Sequence, residues 1–197
     1  MRKVVVNEFM SLDGVVQAPG AADEDTSGGF RHGGWHMSYF DEVSQKWVLD
    51  SIVEAGGFLL GRRTYDIFAA YWPNAPEEEQ VIAEPLNSKP KYVASRTLTA
   101  PLEWSNSTVL QGDVAEAVGV LRAEDGGDVH VIGSTELVRT LLGAGLVDEL
   151  RLMVDPITLG GGKRIFPDDG SLRRFRLANG VVTSTGAILA TYVPAED

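Results

Sequence analysis

The chain has no cysteine, which excludes disulfides, thiolate zinc sites and cysteine nucleophiles together. It also lacks any run approaching the roughly 18 apolar residues of a membrane-spanning helix. Arg2 and Lys3 open the N-terminus, but Glu8 arrives before an apolar stretch of signal length develops, so a cytoplasmic location is expected. Basic charge is scarce: 17 Lys and Arg stand against 28 Asp and Glu, a net charge of −11. That balance opposes generic attraction to nucleic acid or anionic lipid, and neither is expected as a partner. Histidines number three. The spacing of His32 and His36 would grip a metal only on a helix, which Gly33-Gly34 breaks, so no metal site is expected. No repeat, coiled coil or linker divides the sequence, and its 197 residues are expected to form one domain, 1–197.

Against this background one stretch stands out. Phe58-Leu59-Leu60 reads as an apolar strand running into Gly61, and Arg62-Arg63-Thr64 follow where a helix should begin. N–H groups at a helix start have no partner within the helix and carry partial positive charge, and guanidinium groups beside them strengthen the pull on an anion. An ordinary buried strand followed by solvated arginines has the same local sequence. A second strand, Lys91 to Ala94, ends in Ser95-Arg96-Thr97, a hydroxyl and a guanidinium suited to a phosphate monoester. A third, Val129 to Ile132, meets Gly133-Ser134-Thr135-Glu136 and a helix running to Leu142. His130 lies inside that strand and reads as a packing residue. Gly160-Gly161-Gly162-Lys163 lacks the spacing of a nucleoside-triphosphate loop.

The remaining elements fill in around these ends. Lys3 to Met10 reads as a buried central strand, and Ser11-Leu12-Asp13-Gly14 breaks it with turn chemistry. Asp13 thus falls at the sheet edge where open α/β folds bind ligands, although the usual role of Asp in such a turn, bonding its own backbone, is the more ordinary reading. Gln17 to Gly34 is a long polar loop of the kind that serves as a lid, and Trp35, Tyr39 and Phe40 behind it are candidates for covering a planar ligand. Asp41 caps a helix reaching Ala55, and Glu77 begins another that Pro85 and Pro90 punctuate. Asp113 caps a helix to Leu121, and Asp148 to Val154 alternates as a half-buried strand. Phe175–Leu177, Val181–Ser184 and Ile188–Val193 suggest a terminal antiparallel meander with a hairpin turn at Asn179-Gly180.

Ser-Leu-Asp-Gly, Leu-Leu-Gly-Arg-Arg-Thr-Tyr, Ala-Ser-Arg-Thr and Val-Ile-Gly-Ser, in this order, resemble the dihydrofolate reductase superfamily over nearly the whole chain. Leu-Val-Asp-Glu-Leu-Arg-Leu and Pro-Ile-Thr-Leu-Gly-Gly-Gly-Lys-Arg-Ile-Phe resemble its riboflavin-biosynthesis branch, the reductase half of the bifunctional deaminase-reductases. The resemblance implies a three-layer α/β fold: a mostly parallel central sheet, helices on both faces and a C-terminal antiparallel hairpin. It further implies NADPH across the strand ends, a small-molecule substrate and a homodimer. Carried over by position, Gly61, Arg62, Arg63 and Thr64 would hold phosphate at one helix start and Gly133, Ser134, Thr135 and Glu136 at another. Ser95 and Arg96 would take the 2′-phosphate.

Three positions depart from the folate enzymes. Ser134 stands at the second glycine of a pair, Gln45 at the carboxylate of the first helix, and Met153 at the threonine that supports it. Weak or absent dihydrofolate reduction is therefore expected. The expected chemistry is hydride transfer to a C=N or C=O carbon of a small heterocycle or sugar derivative, as in 5-amino-6-(5-phosphoribosylamino)uracil reduction. Asp13 is the first candidate for binding substrate or relaying a proton, and Asp41 the second. Two alternatives keep the same groove: a non-catalytic nucleotide-binding module, and an oxidoreductase using flavin or deazaflavin.

Overall fold

The computed structural model describes residues 1–195. Eight strands form one sheet: β1 (Val4–Ser11), β2 (Gly57–Gly61), β3 (Lys91–Ala94), β4 (Ser107–Leu110), β5 (Val129–Ile132), β6 (Glu149–Asp155), β7 (Phe175–Val182) and β8 (Ile188–Pro194). Their order is β4-β3-β2-β5-β1-β6-β8-β7. The pairs from β4 through β6 are parallel, β8 runs antiparallel to β6, and β7 runs antiparallel to β8. The C-terminal ends of β1, β2, β3 and β5 therefore lie along one edge, where parallel sheets place ligands.

Five helices cover both faces: α1 (Glu42–Glu54), α2 (Arg62–Tyr71), α3 (Gln80–Ser88), α4 (Val114–Ala123) and α5 (Thr135–Gly143). Side chains alternate along a strand, so a strand sandwiched between helices must be apolar on both faces. In β2, Leu59 packs with Val118 of α4 and Leu141 of α5, while Phe58 and Leu60 pack with Ile52 of α1, Tyr65 of α2 and Leu86 of α3. Met153 of β6 is fully buried with Phe9, Tyr39 and Trp47 against it, so the strand read as half-buried is covered on this face too. Among the described residues no helix is long and apolar enough to cross a membrane.

Two expectations need correction. Pro85 does not end a helix; it lies within α3. The hydrogen bond it forfeits is to the carbonyl of Val81, whose residue is exposed, so water can take that acceptor. Asn179-Gly180 is not a hairpin turn either. β7 runs straight through it, with Asn179 opposite Thr191 and Gly180 opposite Ala190, and the irregularity is a bulge between Leu177 and Asn179. The turn lies at Thr183–Ala187, where Thr183 N donates to Ala187 O at 2.9 Å and Gly186 takes a φ of +84°. Reversing there lets two long strands pair where a turn at Asn179-Gly180 would leave three short ones, so ladder bonds outweigh a local turn preference.

Lys91 is 1% exposed. Its Nζ donates to the carbonyls of Leu86, Asn87 and Lys89 at the end of α3 and lies 4.5 Å from the centroid of Trp104. Burial pulls its pKa down to about 8. Lys91→Ala leaves those acceptors and a cavity behind, and is expected to destabilise the fold by about 2–3 kcal/mol. Urea unfolding at pH 7 would read this as a lower midpoint at unchanged slope.

Candidate cofactor groove

Two helix starts meet at the ligand edge. α2 begins after Gly61 and α5 after Ser134; among the described residues neither start carries a side-chain cap, and the first residues of both helices line the groove. Ser134 stitches them together: its Oγ accepts from Gly61 N at 2.8 Å and donates to Thr64 Oγ1 at 3.0 Å. A Cβ on Gly61 would come within 3.2 Å of Ser134 Cβ, so glycine there allows the approach. Gly133 and Ser134 both take positive φ, +56° and +71°. The serine thus holds a left-handed backbone geometry that favours glycine, and its hydroxyl bonds anchor it there.

The arginines flank this junction. Arg62 Nη1 bonds the Oγ1 of Thr97, which brings the turn after β3 beside the start of α2. Gly61 and Ala94 are register partners, so Ser95 and Arg96 lie just past the matching rung. Ser95 Oγ accepts from the N–H groups of Thr97 and Leu98, and Arg96 is exposed. Arg63 reaches the polar loop, where its Nη1 donates to Asp25 Oδ1 at 2.6 Å. Burial would push the Asp25 carboxyl up, but hydrogen bonds from Lys163, Ser27 and Arg63 hold it well below the usual carboxylate range. Gln17, itself buried, fastens the same loop by donating to the carbonyls of Asp25 and Ser27 and accepting from Lys163 N. The loop is therefore docked over the arginine side of the groove.

The cavity beneath the loop has a volume of about 1020 Å³ and runs from Gly61–Thr64 and Gly133–Leu137 to an apolar end made by Phe9, Phe40, Trp47 and Val48. Phe40 is the residue of the expected aromatic trio that lines it. Trp35 is buried and donates its Nε1–H to Gln17 O, and Tyr39 packs beside Met153. His36 lines the apolar end; its Nδ1 lies 2.8 Å from Asp155 Oδ2 and its ring stacks on Phe9 at 3.7 Å. His130 sits behind the wall, bonded to Ser51 Oγ at 2.9 Å, and burial lowers its pKa to about 4.

The two carboxylates expected to do chemistry hold loops. Asp13 accepts from Ser11 Oγ and from the N–H groups of Leu159 and Gly160, and the Ser11 bond leads in lowering its pKa. Asp41 caps α1 through Val43 and Ser44 and binds Ser184, whose hydroxyl leads in holding its pKa low. Neither lines the cavity. Gln45 is exposed and away from it. Of the carboxyl groups that do line it, Glu8 on the central strand is the buried one, 5% exposed. Burial, with Glu24 nearby, pushes its pKa up to about 8. A charged residue inside a mostly apolar buried strand was the sequence signal for it.

The RibD C-terminal domain family model matches residues 2–189. The uncharacterized protein YyaP of Bacillus subtilis (strain 168) is 32% identical over 200 residues, covering 97% of this chain and 94% of that protein. A putative riboflavin biosynthesis protein from Shewanella sp. PV-4 superimposes with a TM-score of 0.69 at 21% identity, covering 98% of this chain and 99% of that one. Dihydrofolate reductase from Enterococcus faecalis, solved with NADP(H), gives 0.60 at 14% identity over 98% and 97%. RibD from Acinetobacter baumannii gives 0.63 at 17% identity over 100% of this chain and 59% of that one. The fold is the dihydrofolate reductase-like α/β fold.

Proposed function

The chain belongs to the RibD C-terminal domain family, and from that premise we propose that it is an NADPH-dependent reductase. Its reaction delivers a hydride to a C=N or C=O carbon of a small heterocyclic or sugar-derived substrate, in the manner of the riboflavin-pathway pyrimidine reductases. The observation that carries this reading is the junction of two uncapped helix starts through Ser134, flanked by arginines, at one end of a groove that is apolar at the other. That polarity suits a ligand with several phosphates and a flat ring.

In this reading Gly61–Thr64 and Gly133–Glu136 hold the pyrophosphate, while Ser95, Arg96 and Arg62 take a 2′-phosphate. Bound NADPH supplies the hydride. The chain aligns the reactants and excludes water, with Phe9, Phe40 and Trp47 forming the dry end. Dihydrofolate is a poor substrate here, because Gln45 is out of reach and Met153 offers no hydroxyl. A homodimer belongs to the same reading.

Fluorescence titration with NADPH tests it. Arg63→Ala and Arg96→Ala are each expected to weaken binding about 10-fold or more, the scale of a charge-assisted hydrogen bond. Arg96→Ala should also narrow the preference for NADPH over NADH. Unchanged affinity in both variants would place the phosphates elsewhere.

A further inference from the structure

Glu8 has a use that neither the cofactor cradle nor the loop explains. It lies one residue past the last rung between β1 and β5, Asn7 opposite Ile132. Strand alternation turns its side chain to the face of Val4 and Val6, the side of the sheet covered by α5. The first residues of α5 line the same cavity. Its Oε1 is buried and has no hydrogen-bond partner among the described residues. A buried carboxyl without a partner is costly to keep in a fold, and it persists where an incoming group completes it.

We propose that Glu8 is the catalytic proton donor of the reduction, passing its carboxyl proton to the nitrogen or oxygen of the substrate's C=N or C=O bond. The proposal rests on the reductase reading above. A bound reduced nicotinamide would supply the hydride, its own C–H bond breaking as the substrate C–H bond forms and the π pair moves onto the heteroatom. The Glu8 O–H bond breaks, an N–H or O–H bond forms on the substrate, and water returns a proton to the carboxylate afterwards.

The surroundings keep that proton in place near neutral pH. Among the charged side chains of the loop, Asp23, Glu24 and Asp25 line the groove; Glu24 acts on Glu8 and favours the neutral acid, while Asp25 is held by Arg63 and Lys163. His36 on the loop is tied to Asp155. Arg62 of α2 is bonded to Asp66 and Thr97, Glu79 accepts from Tyr71, and Glu136 of α5 faces Arg139. Among the described residues no cation is therefore committed to Glu8. A polyanion at the start of α5 adds negative charge on the same face and strengthens the hold on the proton.

Two measurements on the full chain test the assignment. NADP⁺ is titrated calorimetrically in two buffers of different ionisation enthalpy, at pH 6 and pH 8, for the wild type and Glu8→Gln. The expected result is proton uptake on binding at pH 8 in the wild type, absent at pH 6 and absent in E8Q. NADPH oxidation is then followed against a panel of cyclic imines and α-dicarbonyls. For any acceptor the wild type reduces, E8Q should lose about 100-fold or more in kcat with little change in the KM for NADPH, and Glu8→Asp should recover part of it with a shifted pH profile. Equal proton uptake in wild type and E8Q, or an E8Q variant that turns over an acceptor at the wild-type rate, would overturn the donor role while leaving the cofactor site standing. Absence of binding by both nucleotides in both proteins would overturn the cofactor reading, and the donor role with it.

Discussion

Replacing Asp155 with alanine is expected to cost about 3 kcal/mol of stability and to release the loop over the groove. Asp155 lies fully buried at the end of β6, and its Oδ2 lies 2.8 Å from Nδ1 of His36, which is also buried. The ring of His36 is clamped by Phe9 at 3.7 Å, with Phe40 and Trp35 against it edge-on. The contact therefore ties the far end of the loop to the sheet, as Gln17 and Asp25 tie the near end. Truncation strands the buried Nδ1 of His36 without its partner and opens a hole beside it, and losing one member of such a pair costs about 3 kcal/mol. For a chain of this size each kcal/mol moves the melting temperature by about 2–4 °C, so a fall of about 6–12 °C is expected. Asp155→Asn keeps an acceptor and should lose less. Limited proteolysis should cut the Ala21–Gly34 stretch faster in Asp155→Ala than in the wild type; equal rates would mean that the near-end contacts suffice to hold the loop.

The sheet edge was legible in the sequence because each of its strands announces its end. Leu60-Gly61, Ala94-Ser95 and Ile132-Gly133 all pass from apolar residues to turn or cap chemistry within one step, and the structure places the three ends side by side. What single-sequence pattern could not supply was which polar groups remain free once the chain is folded. Asp13 and Asp41 sit at a turn and a helix cap, where a short carboxylate spends its oxygens on nearby N–H and O–H groups. Glu8 has the opposite history. It lies within a mostly apolar strand, and its polar neighbour Asn7 spends its amide on Val5, Val131 and Ser51, so Glu8 gains no partner from its local sequence and burial leaves it that way. The link between His36 and Asp155 joins residues 119 positions apart and is visible once the loop has folded back. Asn179-Gly180 failed as a turn for a related reason, since its local preference was outweighed by pairing with β8.

Glu8→Gln is expected to flatten the pH dependence of stability and to make the protein more stable than the wild type in mild base. The folded-state pKa of Glu8 is raised to about 8 from an ordinary value of 4.5. A group shifted in that direction contributes stability that is fully present below the unfolded pKa and is lost as pH rises through the folded one, because the native state must give up a proton it holds more tightly. Across that window the loss is on the order of 3–5 kcal/mol. Other buried groups add pH dependence of their own: burial raises the pKa of Asp155, lowers that of His130 to about 4 and lowers that of Lys91 to about 8. They are common to both proteins, so subtracting the E8Q curve from the wild-type curve isolates Glu8. Chemical unfolding at pH 5, 6, 7, 8 and 9 should show E8Q gaining steadily on the wild type with each step up to pH 8. Parallel curves would mean that water or a shifted side chain solvates the carboxylate. A wild type that sheds stability through this window retains a buried acid whose packing alone would favour glutamine, and that excess cost is the mark of a group kept for its proton.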